Sequence, residues 1–219
     1  MRASVIIFEG MQRMMGVAVI GISGLWIGAQ AEEEVFRMAK FEGLRFLEEA
    51  FPWIPLMCSM AWMLSFEEFG LSESGLAAMV YSLWAVLLSS VDILCLLLPD
   101  FLNLSLLAWG LFFNHAQTFV SFDDALLGAG LGYLIFWLLR RGFQLLRRKE
   151  GLGQGDVKLF SALGAWFGWG ALPEMMVVSS VLAGLLAIAW HVFRRKSWKA
   201  EFPFGPALLL SGGVELFLR

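Results

Sequence analysis

Three aspartates stand where carboxylates are expensive or where backbone geometry is unusual, and together they could carry acid–base chemistry. Asp92 interrupts the apolar run Leu87-Leu88-Ser89-Ser90-Val91-Asp92-Ile93-Leu94-Cys95-Leu96-Leu97-Leu98. A carboxylate near the centre of a bilayer costs on the order of 2.5 to 3.5 kcal/mol, so such a residue is a functional candidate by default, with a helix-end position at the interface as the alternative. Asp156 follows Gly151-Leu152-Gly153-Gln154-Gly155, where the glycines permit sharp bends and close approach of another chain. Asp100 comes directly after Leu98-Pro99, a dipeptide that breaks helices, and reads most simply as the N-cap of a helix starting at Phe101. Eight residues separate Asp92 from Asp100, about 12 Å of rise in a regular helix, too far for a catalytic pair unless the chain folds back. Asp92 with Asp156 is the more useful pair. Two carboxylates brought close cannot both ionise cheaply, so one keeps a proton while the other accepts one from water, as in aspartic proteolysis.

The elements that must position these acids are membrane helices. Of the 219 residues, 59% are hydrophobic and 16% are charged, against about 25% charged in soluble domains, and the mean hydropathy is +0.72. No soluble fold of this length has the interior to hide that surface. Apolar runs near 14–30, 51–66, 76–98, 101–116, 125–139, 158–172, 175–193 and 204–218 predict an all-α, polytopic membrane protein of about eight spans. The organisation expected is a first span with a reduced cytoplasmic segment over 1–50, then a membrane-embedded catalytic region over 51–219. Cys58 and Cys95 lie in apolar runs and are read as small buried side chains, which leaves no zinc cluster or disulfide framework. A net charge of -3 argues against a nucleic-acid partner.

Loop charge sets the orientation. Thirteen of the 16 Lys and Arg fall on one side: Arg37, Lys40 and Arg45, then residues from Arg140 to Lys158, then Arg194, Arg195, Lys196 and Lys199. The positive-inside rule puts these loops in the cytoplasm and both termini outside, which also places Asp92 and Asp156 on the cytoplasmic side. A competing reading takes Arg2, Arg13, the run Met14–Ile27 and Ala29-Gln30-Ala31 as a cleaved secretory signal, but it would strand the basic clusters outside.

Set in order, these pieces resemble the bacterial type IV prepilin peptidases, polytopic aspartic proteases of the GxGD class. The resemblance is carried by Val91-Asp92-Ile93, Leu98-Pro99-Asp100, Trp109-Gly110-Leu111 with Asn114, Asp124 to Ala129 with Gly132-Tyr133, Gly153-Gln154-Gly155-Asp156-Val157-Lys158-Leu159, Ala162 to Trp166, and Phe202-Pro203-Phe204-Gly205-Pro206. It implies that Asp92 and Asp156 form the catalytic dyad and that no cofactor or metal is needed. The implied substrates are prepilins or pseudopilins, cut at the cytoplasmic face of the inner membrane after the glycine that ends a short basic leader. Typical bifunctional members carry a large cytoplasmic domain after the first span, often with paired Cys-x-x-Cys motifs, and N-methylate the new terminus. Here that region is reduced to Ala31–Ala50 without cysteine, so methyltransferase activity is expected to be absent.

Supporting roles follow. Lys158 either favours the ionised dyad or anchors its span at the interface. Gly153 and Gly155 permit close approach, Pro203 and Gly205 belong to a non-helical turn over 202–206 beside the site, and residues 140–155 form a mobile loop. The tryptophans and phenylalanines are read as lipid-facing or interfacial. Two other classes compete. Pro206-Ala207-Leu208 spells the motif of presenilin and signal-peptide-peptidase proteases, although the gap of 156 − 92 = 64 residues is short for them. A proton-coupled transporter could also use intramembrane acids, but the outer halves of these spans hold almost no ionisable group.

Overall fold

The computed structural model describes residues 16–31, 33, 53–147, 151–194 and 202–218. Most of the reduced cytoplasmic segment, with Arg37, Lys40 and Arg45, lies outside the described residues, as do Arg2, Arg13, Arg148, Lys149 and the basic residues from Arg195 to Lys199. The described residues form eight α-helices: α1 Gly16–Ala31, α2 Trp53–Phe69, α3 Glu73–Cys95, α4 Asp100–His115, α5 Phe122–Arg147, α6 Gln154–Phe167, α7 Leu172–Arg194 and α8 Gly205–Leu218, with a 3-10 turn at Trp169–Ala171. Among the described residues, three segments are long and apolar enough to cross a membrane, Glu73–Cys95, Phe122–Leu146 and Trp169–Ala189, while Gly16–Ala31 and Gly205–Leu218 are apolar but shorter.

The chain divides into two compact units, residues 1–87 and 88–219. In the first, α1 meets α2 through glycines. A Cβ on Gly24 would lie 2.9 Å from the Ser59 Cα, so the small residue is what lets the two backbones approach.

The second unit is built around α6. Every residue from Leu159 to Phe167 is buried, and the helix packs against α4, α5 and α8. Its 14 residues span about 21 Å at 1.5 Å per residue, short of a hydrocarbon core of about 30 Å. The span read from the sequence over 158–172 is therefore a half-length central helix: it stops at Gly168, whose φ of +76° suits glycine alone, and the chain turns through Trp169–Ala171 into α7. The central position also corrects the reading of the aromatics, because Trp166, Phe160 and Phe167 lie inside the protein. The Trp166 indole N–H donates to the Leu106 carbonyl at 2.8 Å, which removes the cost of burying it.

Close packing around α6 is again a matter of missing side chains. A Cβ on Gly164 would overlap the Gly128 carbonyl, one on Gly128 would overlap the Gly164 carbonyl, and one on Gly132 would come within 2.7 Å of the Phe160 carbonyl. Gly128 and Gly132 are four apart and share a face of α5, so the two helices touch backbone to backbone. Asn114, wholly buried at the end of α4, fastens the C-terminal end of α6: its Nδ2 donates to the carbonyls of Ala165 (2.8 Å) and Trp166 (2.9 Å), and its Oδ1 accepts from the N–H groups of Phe119 (3.1 Å) and Val120 (3.2 Å). Asn114→Ala would leave four backbone groups without this partner at about 1 to 3 kcal/mol each if they stay buried. The variant is expected to melt at least 8 °C below the wild type in detergent, read by intrinsic fluorescence, a shift of the size that about 3 kcal/mol gives at this chain length.

Two helix ends also differ from expectation. α5 runs to Arg147, so Arg140 and Arg141 sit on its last turns and not in a mobile loop. α3 ends at Cys95, where Leu96 takes a left-handed φ of +53°, and Cys95 is half-buried, more open than the sequence suggests.

Candidate active site

The end of α3 sets the first acid. Asp92 lies in its last turn, its carbonyl accepts from the Leu96 N–H at 2.9 Å, and its side chain is 5% exposed. The left-handed Leu96 costs on the order of 1 kcal/mol, and Pro99 keeps Leu98 out of helical geometry. The result is a sharp loop, 96–99, that throws Leu98 back over the site. A Cβ on Gly155 would stand 2.6 Å from the Leu98 Cβ, and one on Gly205 would stand 3.3 Å from a Leu98 methyl. Leu98 is thus a wedge that both glycines make room for, and Asn103 fixes the loop by donating to the carbonyls of Leu98 (3.3 Å) and Gly155 (3.4 Å).

Two helix N-termini converge on the acids. Gly205 opens α8, and its N–H donates to the Asp92 Oδ2 at 2.8 Å. Asp156 lies in the first turn of α6, 9% exposed, and its Oδ2 accepts from the Gly153 N–H at 3.1 Å. Each carboxylate therefore has one backbone donor and the positive end of one helix dipole, which offsets part of the cost of a buried charge. The Asp92 carboxylate is close enough to act electrostatically on Asp156. The structure brings this pair together and leaves Asp100 out of it.

Asp100 is not the N-cap expected. The cap position is Pro99, which has no side-chain donor or acceptor, and Asp100 is the first helical residue. Its carboxylate instead meets the Lys158 ammonium at 2.5 Å. Neither role read for Lys158 describes this: it ties the start of α4 to the start of α6. Asp100 is largely solvated, so the pair contributes little to stability.

The glycines and prolines of the site separate by function. Gly153 has an ordinary φ of -63°, so it is not needed for a bend; a Cβ there would sit 3.0 Å from the Asp156 Oδ2. Pro203 is buried in the non-helical segment 202–204, and the helix resumes at Gly205, inside the turn expected over 202–206. Leu98 was read only as the residue before the helix-breaking Pro99, its contacts with Gly155 and Gly205 were not foreseen, and Asn103 was not singled out at all. Asn103, an amide in the mostly apolar stretch 101–113, was the available signal.

Residues 79–188 match the type IV leader peptidase family, and the chain belongs to that family. It is 44% identical over 141 residues to a prepilin leader peptidase/N-methyltransferase of Aeromonas hydrophila, covering 64% of this chain and 49% of that protein. Its identity is 42% over 140 residues to the protein of that name in Pseudomonas aeruginosa, with 64% and 48% covered, and 38% over 176 residues to that of Stutzerimonas stutzeri, with 78% and 59% covered. The chain thus spans about half the length of the first two of these relatives. No solved structure matches it.

Proposed function

We propose that the chain is a prepilin peptidase of the cytoplasmic membrane that removes a short basic leader from prepilins or pseudopilins. Asp92 and Asp156 are the dyad: one carboxylate takes a proton from the attacking water, and the other, protonated, donates to the carbonyl oxygen of the scissile bond. The observation that carries this is the convergence of two buried carboxylates on one site, each held by a backbone N–H from the start of a different segment. A base and an acid fixed on opposite sides of a carbonyl need no metal or cofactor.

The eight helices are taken as membrane-crossing or membrane-embedded, both termini lie outside, and the dyad faces the cytoplasm, because the Lys and Arg clusters fall on its side. Lys158, Asp100, Pro203, Gly153, Gly155 and Gly205 support the acids and do no chemistry. The cysteine-free stretch at 31–50 supports peptidase activity without N-methylation.

The test is mass spectrometry of a prepilin incubated with membranes holding this protein and S-adenosylmethionine, in a host without other methylases. Loss of the leader after its terminal glycine, with no 14 Da increment, is the expected product. An intact prepilin would refute the peptidase reading, and a methylated product would refute the single activity.

A further inference from the structure

Asn103 is 1% exposed in the first turn of α4, where its backbone N–H donates to the Pro99 carbonyl at 3.1 Å. Its side-chain Nδ2 reaches two more carbonyls, that of Leu98 at 3.3 Å and that of Gly155 at 3.4 Å. Leu98 lies six residues after Asp92 (98 − 92), and Gly155 directly precedes Asp156. One amide group therefore joins the chain leaving the first acid to the chain entering the second. The bonds that hold the carboxylates themselves do not tie one acid to the other: Gly205 supports Asp92 from α8, and Gly153 supports Asp156 from its own segment. The Asp100–Lys158 pair joins the same two helix starts, α4 and α6, but the Asp100 side chain is 65% exposed.

The other half of the amide is unusual. Among the described residues nothing donates to the Asn103 Oδ1, although the atom is buried. An unsatisfied buried acceptor destabilises a fold, and the two bonds that Nδ2 makes are at the long end of the hydrogen-bond range. A leucine has the same branched skeleton and a better helix propensity, and it would bury no polar atom at all. The amide therefore gains the fold little, and a buried unsatisfied group of this kind calls for a reason at the site it adjoins. Two facing carboxylates repel whenever both ionise, so their separation has to be held by the scaffold. We propose that Asn103 is a positioning residue for the dyad: by clasping Leu98 to Gly155, its amide sets the distance between Asp92 and Asp156. This rests on the peptidase reading above. Asn103 acts through the two backbone segments and not on the substrate, so its removal lowers turnover and leaves binding nearly as it was.

The test measures kcat, KM and melting temperature on the full chain in detergent, with one prepilin as substrate. Asn103→Leu is expected to lower kcat about tenfold or more, the effect of a small misplacement of a reacting group, with KM within about twofold of the wild type. Its melting temperature should stay within about 4 °C of the wild type. Asn103→Ala removes the same donors and also leaves a cavity, so it should lose a similar factor in kcat while melting lower. Asn114→Ala supplies the contrast. It loosens the other end of α6 and should melt below the wild type, yet keep kcat within about threefold at a temperature where it is folded. Wild-type kcat in Asn103→Leu would overturn the assignment. So would activities that simply follow melting temperature across the three variants, or failure of both Asn103 variants to fold, either of which would make the amide structural. Absence of cleavage by the wild type would instead overturn the peptidase reading and the assignment with it.

Discussion

Asparagine at position 92 or at position 156 is expected to abolish peptide hydrolysis and leave the fold at least as stable as the wild type. Positioned acid–base groups each contribute on the order of 10² to 10⁴ in rate, and neither acid can act without the other, so each single variant should lose nearly the whole effect and the double variant little more. Stability should move the other way. The Asn carbonyl oxygen can still accept from Gly205 or Gly153, while the cost of burying a second carboxylate disappears. Kinetics and thermal melts on the same preparations check this, and a variant that loses activity by unfolding would show it as a lowered melting temperature. In the wild type, kcat/KM should trace a bell against pH, with both limbs belonging to the pair.

Gly205→Ala is the second large effect expected. A Cβ at this position would stand 2.8 Å from the Asp92 Oδ2 and 3.2 Å from its Cγ, closer than a methyl group can sit. Either the carboxylate rotates away or the start of α8 retreats, and both break the Gly205 N–H bond. A displacement of about 1 Å from working geometry costs on the order of 10² in rate. Gly213→Ala, in the same helix but facing open space, should be silent or slightly stabilising. The contrast separates a site effect from a helix effect, measured as kcat/KM for both variants with one peptide. Equal activities would mean that Gly205 does not hold Asp92.

How much of this was legible in the sequence depends on which force carries the information. Asp92 stands out because a charge in an apolar run is costly wherever the chain folds, and Asp156 because it follows three glycines. Both are proposed above as members of one site. The family was legible for the same reason, since its motifs are dense between residues 91 and 206. The α6 helix was misread because hydropathy cannot tell a side chain facing lipid from one facing protein: Trp166 and Phe160 are apolar in either place, and it is the packing of α6 against α4, α5 and α8 that puts it in the centre. Leu98 was invisible for a different reason. Its role comes from contact with Gly155 and Gly205, which lie 57 and 107 residues away in sequence (155 − 98 and 205 − 98), and the Pro99 that follows it marks a helix break but not those distant partners. The Asp100–Lys158 pair was hidden because each charge had a sufficient local explanation, a helix cap for one and an interfacial anchor for the other.

The most direct test of the central claim compares four proteins in the same membranes against one prepilin: the wild type, Asp92→Asn, Asp156→Asn and Asp123→Asn, the last an exposed acid in the first turn of α5. Mass spectrometry of the pilin after incubation should find the leader removed by the wild type and by Asp123→Asn, and retained with both dyad variants. Leader removal by either Asp92→Asn or Asp156→Asn at the wild-type rate would contradict the assignment of these two carboxylates.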